Sequence, residues 1–89
     1  MVKLSIIVPI YNVEQYIERC LNSIVNNAGF KENCELIIVN DGSKDYSENI
    51  ARKIVKHIPN VFIISQNNQG LSVARNSGMK KAKGEYIWF

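Results

Sequence analysis

The sequence predicts an α/β fold, a doubly wound and mostly parallel sheet with helices on both faces. Three observations carry that expectation. Short, β-branched apolar runs recur along the chain, from "LSIIVPI" near the start to "EYIWF" at the end. Segments with apolar residues at helical spacing alternate with them. No repeat, low-complexity stretch or linker interrupts that alternation.

"LSIIVPI" (Leu4 to Ile10) is short and apolar and reads as a buried strand. Val13, Ile17, Cys20, Leu21, Ile24, Val25 and Ala28 then form a helical stripe of more than three turns, with Gly29 as its stop. "ELIIV" is the second strand, apolar without alternation as in a sheet buried on both faces. Asp45 offers an N-cap with Glu48 completing a capping box. Ile50, Ala51, Ile54, Val55 and Ile58 give the second helix its buried face, and Pro59 ends it. "VFIIS" (Val61 to Ser65) is the third strand, and "QNNQG" is a polar turn. Leu71, Ala74, Gly78 and Ala82 share one side of a third helix. Lys80, Lys81 and Lys83 crowd its last turn, where positive charge complements the helix dipole. "EYIWF" opens a fourth strand.

Right-handed crossovers make 3-2-1-4 the simplest strand order, with the switch point between the first and fourth strands. A ligand is expected over the carboxyl ends of the first, second and fourth strands. In the first two, those ends are Pro9 to Asn12 and Asn40 to Ser43.

The 89 residues make one domain, of a size that buries only roughly 60–65% of its unfolded surface. The content is 46% hydrophobic and 21% charged, as in an ordinary globular protein. A net charge of +3 with scattered Lys and Arg argues against a nucleic-acid partner. Cys20 and Cys34 have no metal-type spacing and read as one core and one near-surface thiol in a reducing compartment. The start lacks a signal peptide's pattern, and no window approaches the roughly 20 apolar residues that cross a bilayer. A cytoplasmic location is expected, with a longer parent at the cytoplasmic face of a membrane as a variant of it.

The first strand-to-helix turn, "PIYNVE", holds no glycine, and no P-loop pattern occurs, which argues against classical dinucleotide and P-loop sites. The turn offers Tyr11 and Asn12 instead. Tyr11 taken alone reads more readily as a packed core-edge aromatic than as a stacking platform. Asp41, at the end of the second strand, accepts hydrogen bonds only when ionised. It suits a pyrimidine ring N–H, a ribose hydroxyl or the backbone amides of its own turn. Arg75 flanks the third helix's apolar face, and either solvent or a diphosphate or base carbonyl at the ligand edge fits it. His57 reads as a surface residue without chemistry.

Three segments together resemble family 2 glycosyltransferases, which have the GT-A nucleotide-diphospho-sugar transferase fold. "SIIVPIYNVEQYIERCLNSI" resembles the family's opening strand and helix. "ELIIVNDGSKD" is similar to its E-x-I-x-V-D-D-G-S-x-D. "NNQGLSVARNSGMKKAKGEYIWF" resembles N-x-G-x-x-x-A-R-N-x-G followed by G-E-Y-I-x-F. The resemblance covers essentially all 89 residues and implies the N-terminal, donor-binding part of a GT-A fold.

By that resemblance, Pro9, Tyr11 and Asn12 border the donor nucleotide, Asp41 accepts the uracil ring N–H, and Arg75 lies near base and diphosphate. Asn40 departs from the family's usual Asp. The resemblance also implies an inverting transfer from a UDP-sugar to an acceptor hydroxyl, with Mg²⁺ or Mn²⁺ held by an Asp-x-Asp motif expected just after Phe89. This fragment is therefore expected to ligate no metal, to lack the catalytic base, and to be inactive alone. The alternatives are a noncatalytic α/β nucleotide-binding or interaction module, or a chain that self-associates through an exposed fourth strand.

Overall fold

The computed structural model describes residues 2–27, 30–84 and 86–88. Its elements are β1 (Leu4–Ile10), α1 (Ile17–Val25), α2 (Phe30–Asn33), β2 (Cys34–Asp41), α3 (Ser47–Val55), β3 (Val61–Gln66), α4 (Leu71–Lys81) and β4 (Tyr86–Trp88). The four strands form one parallel sheet in the order β3-β2-β1-β4, the expected 3-2-1-4. No helix among the described residues is long and apolar enough to cross a membrane.

Side chains alternate across a strand, so the parity of a residue decides which helical layer it meets. Even-numbered Ile6, Ile10, Leu36 and Ile38 join Ile17, Leu21, Ala51 and Val55 in a core beneath α1 and α3. Odd-numbered Ile7, Ile37 and Val39 pack with Ala74 of α4 in a second, smaller core. β2 lies inside the sheet, and its Leu36 to Val39 are fully buried. That is why its apolar run shows no alternation.

Several expectations change in detail. α1 begins at Ile17, although Ile17 N–H already bonds Val13 O at 2.9 Å, so the turn before it is nearly helical. Cys20 lies on the flank of the stripe and is exposed, while Cys34 is half-buried against the larger core. Neither is a fully buried thiol. Ala28 and Gly29, expected as the end of that stripe and its stop, lie outside the described residues.

α2 is a single turn with no amphipathic period to reveal it, and it buries Phe30. β2 runs on through Asn40 and Asp41, two residues past the apolar "ELIIV" run and at the strand end where the sequence puts them. α3 ends at Val55, before Pro59. Leu71 does not share the burial of Ala74 and Gly78 but stands 54% exposed at the start of α4. Lys83 lies past the end of α4, and Lys81 reaches over the Phe62 ring at 4.8 Å.

Candidate functional site

The carboxyl ends of β1 and β2 are laced together by their following loops. Asn12 has a left-handed φ of 52°, which Asn tolerates better than most residues. Its N–H donates to Ser43 Oγ at 3.0 Å, and its Oδ1 accepts the Lys44 N–H at 2.8 Å. Val13 N–H donates to the buried Ser47 Oγ at 2.7 Å, and Glu14 N–H to Asp45 Oδ2 at 3.1 Å. Ser47 also donates to Asp45 Oδ1 from both its amide (2.9 Å) and its hydroxyl (2.5 Å). Burial works to raise the Asp45 pKa, but the bonds from Ser47 and Glu14 prevail and hold it below the ordinary carboxylate range. Ser43 and Asp45 therefore build the frame of the site.

Asn40 and Asp41 are neighbours in sequence yet face opposite layers. Asn40 points toward α3, where its Nδ2 donates to Glu48 Oε1 at 2.7 Å. Ser65, Asn40's partner in the parallel register, donates its hydroxyl to the same oxygen. Arg52 Nε donates to Glu48 Oε2 at 3.0 Å. The expected capping box is thus not formed. Glu48 instead ties β2, β3 and α3 together through Asn40, Ser65 and Arg52.

The hydroxyl of Ser65, then the amide of Asn40, and last Arg52, outweigh burial and hold the Glu48 carboxyl down to about 2, against an ordinary 4.5. A folded-state pKa below the unfolded one stabilises the fold above the unfolded value. The contribution is full above pH 4.5 and is lost as pH falls toward about 2. Allowing for solvent screening of this partly exposed group, it is on the order of 1–2 kcal/mol. Between pH 7 and pH 3, urea titrations should show wild type losing more stability than Glu48→Gln, by roughly half or more of that contribution; equal pH sensitivity in that variant would refute the assignment.

Asp41 points toward the α4 layer and is 4% exposed. Its Oδ1 accepts from Gln66 Nε2 (2.9 Å) and Gln69 N–H (2.8 Å). Its Oδ2 accepts from Gly70 N–H (3.0 Å) and Asn68 Nδ2 (3.2 Å). The Gln66 amide and the Gln69 N–H, with Gly70, hold the carboxyl below its usual range despite burial. The carboxylate thus organises the 66–70 loop, a different set of amides from those of its own turn. Gln66 continues the chain of contacts by accepting the Ser77 hydroxyl of α4 at 2.7 Å. Gly42 is required beside it, since its φ is +75° and a Cβ would sit 2.7 Å from Asn68 N.

A cleft of about 200 Å³ opens here, lined among others by Pro9, Tyr11, Asp41, Asn68, Gly70 and Leu71. Pro9, Tyr11 and Asp41, singled out in the sequence, come together in it. Tyr11 is 45% exposed and presents a free aromatic surface. Asn12 is placed in the loop lacing next to the cleft, not in its lining. Arg75 is exposed on α4, one residue past the lining Ala74. Sequence reasoning missed Asn68 and Gly70, although both stand in the quoted N-x-G segment. A larger cleft of about 570 Å³ lies between α3 and β3, and its lining of Arg52, Lys53, Val55, Lys56, Val61 and Ile63 holds no acid, histidine or hydroxyl.

Among the described residues, no three His, Cys, Asp or Glu side chains stand close enough to hold a metal ion.

The chain is 47% identical over 85 residues to the uncharacterized glycosyltransferase EpsJ of Bacillus subtilis, covering 96% of this chain and 24% of EpsJ. It is 41% identical over 87 residues to glycosyltransferase GlyA of Streptococcus pneumoniae, covering 98% of this chain and 12% of GlyA. The crystal structure of Staphylococcus aureus TarS 1–349 in complex with UDP-GlcNAc superposes with a TM-score of 0.89 at 34% identity, over 96% of this chain and 25% of that one. The chain thus spans at most about a quarter of these relatives. The glycosyl transferase family 2 model matches residues 5–89, and the chain belongs to that family.

Proposed function

We propose that these residues form the donor-nucleotide-binding part of an inverting glycosyltransferase that uses a UDP-linked sugar. The observation that carries this reading is the cleft at the carboxyl ends of β1 and β2, where Pro9, Tyr11 and Asp41 converge. The TarS complex with UDP-GlcNAc, of the same fold at 34% identity, supports it. Pro9 and Tyr11 offer flat apolar contact to a base, and Asp41 accepts its ring N–H. The four donors already on Asp41 fill its acceptor positions, so a base must displace one. Asn68 Nδ2, at 3.2 Å the longest of the four, is the one to yield. Asn12 holds the loop that carries Tyr11, and Arg75, one turn into α4, serves the diphosphate.

In the whole enzyme an acceptor hydroxyl attacks the anomeric carbon in one displacement, and the nucleoside diphosphate leaves. A Mg²⁺ or Mn²⁺ ion would neutralise that diphosphate, but this reading gives it no ligand among the described residues. The 89-residue chain by itself should bind without turnover and without a metal requirement.

The test is a UDP titration of the chain followed by amide NMR shifts, with and without Mn²⁺. Shifts at 9–12, 40–43 and 68–71 are expected, indifferent to Mn²⁺. Tyr11→Ala should weaken binding about tenfold or more while leaving the fold intact, because a base–aromatic stack is worth about 1–3 kcal/mol. Absence of shifts, or equal binding by Tyr11→Ala, overturns the reading. Tyr86 and Ile87 of β4 are 69% and 39% exposed, which favours self-association as the second reading. Concentration-dependent sedimentation that UDP leaves unchanged would select it.

A further inference from the structure

A buried carboxylate lies at the opposite end of β2 from the cleft, about 20 Å away by strand rise. Glu35 is 2% exposed and Ser5, its partner in the parallel register, is 0% exposed. Both are odd-numbered and face the α4 layer. Ser5 Oγ donates to Glu35 Oε2 at 2.5 Å, and the Lys83 N–H donates to the same oxygen at 2.6 Å. Gly84 N–H donates in turn to Ser5 Oγ at 2.8 Å. Gly84 N–H, Ser5 O–H and Glu35 thus form one relay, in which each bond polarises the next. A Cβ at Gly84 would lie 2.7 Å from Ser5 N and Oγ, so the approach excludes any side chain there.

β4 needs such a device. It is three residues long, and Tyr86 and Ile87 are exposed, so burial of those two contributes little to its placement. It pairs with β1 only as Leu4↔Tyr86, Ser5↔Ile87 and Ile6↔Trp88, after the Tyr86 N–H bonds Lys3 O at 2.9 Å. A slip of one residue would exchange the two faces of the strand. The turn between Lys81 and Tyr86 sets that register, and Glu35 is what grips the turn.

We propose that Glu35 is a positioning residue for the fourth strand: with Ser5 as relay, its carboxylate fixes the turn that lays β4 in register against β1. The grip joins one residue from each of the three family-like segments: Ser5, Glu35 and Gly84. It also places the strand on the far side of the switch point from β2, so a group remote from the cleft determines how the site's fourth strand is presented. The inference is independent of which ligand the cleft takes.

The test is backbone amide hydrogen exchange on the 89-residue chain, comparing wild type, Glu35→Gln and Ser5→Ala. Glu35→Gln keeps the volume but exchanges a charged acceptor for a neutral amide. Exchange at Lys83, Gly84 and the β4 amides is expected to accelerate about tenfold or more, as befits a lost charge-assisted bond. Amides of Leu36 to Val39 should change far less, and the Ser5–Ile87 cross-strand proton contact should weaken. Uniform acceleration over the whole sheet would make Glu35 a contributor to global stability only and overturn the proposal. Unchanged exchange at Gly84 and β4 would overturn it as well. Should Glu35→Gln fail to fold, Ser5→Ala decides by the same criteria, since it removes the relay and leaves a small apolar group.

Discussion

Asp41→Ala is expected to lower the melting temperature by about 10 °C or more, the largest effect of any polar substitution in the chain. The carboxylate receives two backbone N–H groups from Gln69 and Gly70 and two side-chain amides from Gln66 and Asn68. Removing it frees the segment that leads into α4, and it releases Gln66 from its place between Asp41 and Ser77. Asp41→Asn should be nearly as harmful despite its equal size, because its amide must turn N–H groups toward a set of donors. Thermal unfolding followed by circular dichroism measures both.

A variant Asp41→Asn that melts within about 2 °C of wild type would show that these bonds contribute little. The Asp41 pKa lies below its ordinary 3.8, so the stabilisation is complete at neutral pH. It fades as pH drops beneath that value through the lower folded-state pKa. In the UDP titration Asp41→Ala removes both the anchor of the 66–70 loop and the proposed base contact, so it does not separate the two. Tyr11→Ala does not share that ambiguity, since Tyr11 is exposed.

Ile38→Ala is expected to cost about 3–4 kcal/mol, measured from the urea midpoint with the slope unchanged. Ile38 is 0% exposed on an inner strand, between neighbours on both sides and beneath the α1 and α3 layer. A chain of this length is stable by about 5–10 kcal/mol, so one such cavity removes a large part of the total. Ile63→Ala provides the contrast. Ile63 is only partly buried, on edge strand β3, and its neighbours can relax into the space. Its cost should be under half of that for Ile38→Ala. Equal costs would contradict a core centred on β2.

Apart from the single turn of α2, the order of elements and the strand order were legible because apolar periodicity and crossover handedness are properties of the chain itself. Leu36 to Val39 need no partner's identity to declare an inner strand, and Ala51 and Val55 declare a buried helix face by spacing alone. Even the division of Asn40 from Asp41 is latent in the sequence, since adjacent strand residues must face opposite ways. The family-like segments likewise gave Pro9, Tyr11 and Asp41 as neighbours, and they share one cleft.

Tertiary structure alone decided what each polar group does. Asp41 meets Gln66 to Gly70, Ser5 meets Gly84, and Asn12 meets Ser43 and Lys44, across separations that no local pattern encodes. Glu48 carries the signature of a capping box, yet the parallel register brings Ser65 and Asn40 together and draws the carboxylate to the sheet. Cys20 fell on the flank of its stripe, and Arg75 one residue beyond the cleft's lining, because helix phase is fixed by packing against the sheet. Apolar burial is decided by residue type and period. A hydrogen bond between remote side chains depends on position and direction, and only the assembled sheet supplies those.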